Sequence, residues 1–161
     1  MENKFENIEK KIKELGFRIN SKDFNRPWGG FLVIDETQSN KFIEYFFENL
    51  DMNLITKGLK LSPKILIVKP LSRLSWQYHF RRSEIWKVFE GEVAVVRSDN
   101  DNEQPKNIFS KGSLITLKQG ERHRLIGLND FGVVAEIWQH TDLNNPSDEN
   151  DIVRIQDDYG R

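Results

Sequence analysis

The sequence predicts an all-β fold, a small sandwich or jelly-roll barrel, with an N-terminal α-helix and a short second helix ahead of it. From Lys64 onward the chain breaks into short runs rich in β-branched and aromatic residues, separated by turns containing Gly, Pro, Asn or Asp. Helical periodicity is confined to the first 50 residues. With 161 residues, 37% hydrophobic and 11% aromatic, there is enough apolar surface for one core of ordinary size.

Taken in order, Phe5, Ile8, Ile12 and Leu15 recur at helical spacing among Lys and Glu, and Gly16 follows as a stop. This amphipathic helix packs either on the outside of the barrel or on a partner subunit. Gly29 and Gly30 form a turn after Trp28, and 31–34 is an early strand. Ser39 can cap a second helix in which Phe42, Tyr45, Phe46 and Leu50 share a face widened by Phe47. That Phe-rich insertion reads as core packing, a lid or a dimer contact. The predicted barrel strands are 65–68, 74–79, 85–89, 93–96, 114–117, 123–126 and 133–139. The polar stretch 98–106 is an exposed hairpin loop, lacking the Gly and terminal Glu placement of a calcium loop. One domain over 1–161 follows: a helical extension with an early strand over 1–50, a barrel core over 60–140, and a tail over 141–161.

Composition narrows the function. Lys plus Arg number 24 and Asp plus Glu 25, so no global field draws the protein to nucleic acid or an anionic membrane. The chain has no cysteine, which removes disulfides, thiolate nucleophiles and thiolate zinc sites. Charges stand where a signal peptide needs an apolar run, and no stretch reaches the length of a membrane span, so a cytoplasmic location is expected. Neither a G-x-S-x-G turn nor a phosphate-binding loop is present. His140, at a strand end, is expected on the surface.

The residues with chemistry to offer are Gln77, His79, Glu84 and His123. Residues two apart on a strand share a face, so Gln77 and His79 aim together while Tyr78 faces away. If the next strand returns as a hairpin, Glu84 sits at its mouth, and His123 closes the site from another strand. Two imidazoles, a carboxylate and an amide oxygen suit zinc first, or manganese, iron or cobalt, better than calcium. Ser75, Trp86 and Leu125 share faces with these ligands. Trp86 is either a flat wall beside a sugar ring or a core aromatic.

Both blocks around these residues resemble the two motifs of the cupin superfamily. Gln77-x-His79, Glu84 and Gly91 match the first, and Gly112, Gly120 and His123 the second. Gln77 replaces a usual His, Leu71 an opening Gly, Lys118 a Pro and Gly127 an Asn. Arg26-Pro27-Trp28-Gly29, Leu74 to His79, Arg82 to Trp86, Gly120 to Arg124, and the closing Asp151-Ile-Val-Arg-Ile-Gln-Asp-Asp-Tyr-Gly-Arg161 together resemble the isomerase domain of type II phosphomannose isomerases. In that family the domain commonly follows a GTP-using nucleotidyltransferase domain; this chain is expected to stand alone.

The resemblance implies metal-dependent interconversion of mannose 6-phosphate and fructose 6-phosphate through an enediol. It also implies a homodimer. A phosphorylated substrate needs cations, and the basic candidates are Arg26, Lys69, Arg82, Arg122, Arg124, Arg154 and Arg161; motif position favours Arg26, Arg82 and Arg161. Tyr159 and Arg161 are expected to fold over the barrel mouth and touch substrate. The proton-transfer base is Glu136, on a strand whose family counterpart carries a Glu, or Lys69. Two further readings compete: another cupin isomerase or epimerase, and a non-catalytic sugar-binding or sugar-phosphate-binding domain.

Overall fold

The computed structural model describes residues 3–55 and 59–161 of the chain. Two antiparallel sheets face each other. The first holds β1 (Ile19–Arg26), β2 (Gly29–Ile34), β3 (Leu61–Val68), β10 (Gly132–His140), β5 (Arg82–Glu90) and β8 (Leu114–Leu117), in that order. The second holds β11 (Val153–Gln156), β4 (Trp76–Tyr78), β9 (Arg122–Gly127), β6 (Val93–Ser98) and β7 (Asn107–Phe109). This is a jelly roll of the cupin type.

The six-stranded sheet is buried on both faces, and strand alternation decides which side chains go where. On β3, Ile65 and Ile67 join one core cluster, while Leu66 and Val68 join another. On β10, Val133, Ala135 and Ile137 face the first cluster and Val134 the second. Glu136 and Trp138 are in phase with Val134, which turns them toward the space between the sheets.

The outer cluster is closed by α1 (Lys4–Glu14) and α2 (Ser39–Phe46). Ile8 and Ile12 of α1 are fully buried, and Lys4 and Lys11 pin the helix to Glu90 of β5. Its apolar face therefore packs on the barrel itself. The Phe-rich insertion does the same through Phe42 and Phe46, and none of its residues lines the cavity. Two details of α2 differ from expectation. Ser39 is its first residue and donates back to the Glu36 carbonyl at 2.7 Å instead of capping, and Tyr45 is half exposed because Ser39, Phe42, Ile43 and Phe46 form the buried face. The 99–106 loop joins β6 to β7, which pair as expected of a hairpin.

A larger difference concerns the strands that carry Gln77 and Glu84. β4 and β5 are not a hairpin: β4 pairs with β11 and β9, whereas β5 pairs with β10 and β8. Residues 79–81 cross from one sheet to the other. Glu84 thus lies inside β5 and reaches the ligand cluster from the opposite wall. Three strands went unpredicted, β1, β7 and β11. β1 is a polar edge strand, Ile-Asn-Ser-Lys-Asp-Phe-Asn-Arg, without a buried alternation.

Candidate metal centre and cavity

The donors come from three strands and one crossover. Gln77 of β4 is the cross-strand partner of His123 on β9, so the two share a face, and His79 follows two residues on. Glu84 projects from β5 opposite. The Nε2 of His79 is 3.5 Å from Glu84 Oε2, and the Nε2 of His123 is 3.7 Å from Glu84 Oε1. Donor atoms of the three residues all lie within 4.8 Å of one another. All are buried, as is Gln77, whose Oε1 accepts from Ser75 Oγ at 3.1 Å.

Backbone carbonyls select the imidazole tautomers. His79 Nδ1 donates to the Asp151 carbonyl at 2.7 Å and His123 Nδ1 to the Glu121 carbonyl at 3.1 Å, so both rings turn an Nε2 lone pair toward Glu84. The lone pair of His79 accepts from Arg82 Nη2 at 3.1 Å. His123 Nε2 is buried and has no hydrogen-bond partner among the described residues. An orphaned buried acceptor is costly, and a cation answers it. Donors 3.5 to 3.7 Å apart match the spacing of ligands each about 2.1 Å from one ion. The residues fit a divalent metal.

Electrostatics point the same way. Burial pushes His123 down to about 4 and His79 well below the ordinary imidazole value, the latter with help from Arg82 and His123. Both rings are therefore neutral, the form that binds metal. Asp151 supports them from behind. Its Oδ1 accepts from the Phe80 amide at 2.9 Å, and its Oδ2 accepts from the Arg81 amide at 3.0 Å and from Ser147 Oγ at 2.6 Å. Burial opposes its charge, but these bonds hold the carboxyl below its ordinary value.

Gln77, His79 and Glu84 line one wall of a cavity of about 360 Å³, within the size range of small-molecule sites. Glu136 lies beside it. Its two oxygens accept from the indole N–H of Trp86 at 2.7 Å and of Trp138 at 2.8 Å. Burial first, and then the charge of Glu84, push its pKa up to about 8. Trp86 is at once a core aromatic and a cavity wall.

Of the other expected residues, Arg26, Arg82 and Arg161 line the cavity. Arg82 is committed: it donates to Glu84 at 3.2 Å, Ser147 at 2.8 Å and the Asp148 carbonyl at 3.1 Å, and lies 3.6 Å over the Trp138 ring. Arg161 is paired with Asp157 at 2.9 Å. Tyr159 does not line the cavity and is 36% exposed, because the Arg161–Asp157 pair turns the tail on itself. Lys69 is outside as well: it is in phase with Ile65 and Ile67, the outward set of β3. Arg122 stacks on Tyr78, and Arg124 is fully buried, donating to the Leu74 carbonyl at 2.8 Å, so both serve the scaffold. His140 is buried, not on the surface; its Nδ1 accepts from the Ser147 amide at 2.9 Å and its Nε2 meets Ser62 Oγ at 2.7 Å.

Lys64, Trp138 and Glu149 were missed. All three line the cavity. Trp138 stands two residues after Glu136, and Lys64 two before Leu66, so alternation alone could have turned them inward had β3 been started earlier.

Fold and site together define a cupin-type barrel with a metal-capable donor set inside. Residues 49–157 match the family described as mannose-6-phosphate isomerase C-terminal, and the chain belongs to that family. It is 28% identical over 137 residues to the xanthan biosynthesis protein XanB of Xanthomonas campestris pv. campestris strain B100, and 27% identical to the counterpart in strain ATCC 33913. The aligned segment is 84% of this chain but 23% of those relatives, so the chain spans about a quarter of their length. Among solved structures, the capsular polysaccharide assembling protein CapF of Staphylococcus aureus aligns over 87% of this chain and 32% of its own, at 16% identity and a TM-score of 0.56. Tomato vicilin, from Solanum lycopersicum, aligns over 85% and 33%, at 18% identity and 0.53. These two share the fold.

Proposed function

We propose that the cavity is the active site of a metal-dependent aldose–ketose isomerase that converts mannose 6-phosphate to fructose 6-phosphate. The observation that carries this reading is the buried His79–Glu84–His123 cluster, with its unsatisfied His123 nitrogen, close to a cavity lined by the buried carboxyl of Glu136. Membership of the family supports the substrate.

Gln77, His79, Glu84 and His123 would hold the ion. When bound, a divalent cation acts there as a Lewis acid that polarises the sugar carbonyl. Glu136 does the carbon proton work: it takes the proton from the carbon next to the carbonyl, leaving an enediolate, and returns it to the former carbonyl carbon, while a proton passes from the adjacent hydroxyl to the former carbonyl oxygen. A group that must both take and return a proton needs a pKa near the working pH, and burial beside Glu84 supplies that. The Trp86 and Trp138 indoles fix its two oxygens. Arg26, Arg154 and Arg161, with Lys64, give the cavity its positive wall for the phosphate. Arg82, bound to Glu84 and to Ser147, positions the cluster and is not left free for substrate.

A coupled assay on mannose 6-phosphate, before and after chelation, tests the proposal. Turnover should vanish with chelation and return with zinc, cobalt or manganese. Glu136→Gln should lower kcat by about 10²- to 10⁴-fold while the metal is retained. Binding of the sugar phosphate without turnover by the metal-loaded protein would instead make this a sugar-phosphate-binding domain.

A further inference from the structure

Lys64 is 6% exposed in the wall of the cavity, with its ammonium 4.1 Å over the Trp138 ring and 4.6 Å over that of Phe31. It is the cross-strand partner of Glu136. Burying an ammonium is costly unless it meets an anion. The anion it meets is the carboxylate of Glu149, which arrives on the strap of residues 141–152 joining β10 to β11, with a side chain 54% exposed. The strap is also held by Arg82 bonds to Ser147 and the Asp148 carbonyl, by the Ser147 amide on His140, by Arg81 bonds to Asn145 and the Pro146 carbonyl, and by Asp151 on the crossover.

Arg154 stands on β11 opposite Gln77 and lines the same cavity. Its guanidinium has no hydrogen bond or ion pair among the described residues. Burial, and then the charges of Arg161 and Arg26, hold its pKa down, while Glu149 acts the other way. Glu149 thus brings a carboxylate with an exposed side chain among cations that also include Arg26 and Arg161. Arg154, a cation without a partner among the described residues, is open to an anion that arrives.

The geometry points to Lys64 and Arg154 as an anion subsite for a phosphate monoester, occupied in the ligand-free protein by Glu149, whose carboxylate the phosphate displaces. This rests on the cavity being the substrate site proposed above, and it deepens that reading by singling out Lys64 and Arg154 from the positive wall and by naming an internal competitor. Because the anion must displace Glu149 from Lys64, its apparent affinity is lower than it would be for a lysine already free.

The test is calorimetric titration of the full chain with inorganic phosphate, followed also by Trp138 fluorescence, since that ring lies under the ammonium. Glu149→Gln keeps an acceptor for Lys64 but removes the charge, and should bind phosphate tighter by about threefold or more. Lys64→Met should lose the binding, as should Arg154→Met in larger part. Mannose 6-phosphate should show the same gain in Glu149→Gln, and unphosphorylated mannose none. Equal or weaker phosphate binding by Glu149→Gln overturns the inference, and so does undiminished binding by a folded Lys64→Met protein. If Lys64→Met fails to fold, the Glu149→Gln result alone decides. These readouts are binding, not turnover, so a failed isomerase assay with the phosphate pattern intact counts against the proposed reaction only.

Discussion

At the scale of single residues, the centre depends on which imidazole nitrogen carries the proton. Asp151 sets this for His79 through its backbone carbonyl, while its side chain ties down the Phe80 and Arg81 amides of the crossover. That gives the first residue of the closing motif a definite task, and Asp157 and Asp158 have theirs: Asp157 holds Arg161, and Asp158 binds Arg73 at 2.7 and 2.9 Å. Asp151→Ala keeps that carbonyl but frees the Phe80 and Arg81 amides of the crossover that carries His79; it should weaken metal binding by about tenfold in a protein that still folds, and affinity equal to wild type in a metal titration would refute the assignment. At this scale the sequence was informative about donors and poor about cations. His, Glu and Gln at strand spacing can be read as ligands before any contact is known. Whether a lysine faces in or out hangs on one residue of strand phase, and so Lys69 was favoured where Lys64 is the one inside.

Turns and crossovers govern the element scale. Leu71 occupies the position where the cupin motif opens with Gly, and its φ is +57° with the side chain 81% exposed. An L-residue in that region costs about 1–2 kcal/mol, and a leucine that buries almost nothing recovers little. Leu71→Gly should raise stability by about 0.5–1 kcal/mol after the entropy of glycine is subtracted, measured as the shift in urea midpoint; a loss would contradict the strain. Gly127 is the opposite case. A Cβ there would run into the Lys69 carbonyl oxygen, so the chain has closed around the missing side chain. Gly127→Ala should cost about 2–3 kcal/mol, and an unchanged midpoint would show that the β3–β4 connection yields. Strand existence was legible wherever apolar residues alternate or run together, as in β3, β5, β6 and β10. It was not legible in β1, whose exposed polar residues are those of an edge, nor in β7 with three residues. The crossover between β4 and β5 was read as a hairpin because a short turn between apolar runs looks the same whether its strands pair with each other or with others.

For the molecule as a whole, the six-stranded sheet separates two apolar layers: the helices seal one face, leaving the other free to build a cavity around charged groups. The double burial costs the histidines their charge. All three, His79, His123 and His140, have pKa values below the ordinary 6.5, burial being the first cause in each. The unfolded chain then binds more protons than the folded one below that pH. Stability from this source is complete above about pH 6.5 and is lost as pH falls toward the folded values, by up to about 1.4 kcal/mol per pH unit for each histidine. Carboxylates held low, such as Asp151 and Asp157, act only further down, below the ordinary Asp value of 3.8. Glu136, whose pKa is raised, acts the other way between its ordinary 4.5 and about 8 and offsets about one histidine. Urea midpoints of the metal-free protein should thus fall from about pH 6.5 to pH 5, where three imidazoles outweigh one carboxyl, and a rise over that range would contradict neutral buried histidines.

The central claim is that Gln77, His79, Glu84 and His123 converge on one cation. Titration of the metal-free protein with Co²⁺, followed by its visible absorption, tests it most directly. One equivalent should bind with a spectrum of mixed nitrogen and oxygen ligation, and both the absorption and the binding should be lost in His123→Gln and Glu84→Gln proteins that remain folded. Absence of binding in the wild type, or a spectrum unchanged by these substitutions, would contradict the account.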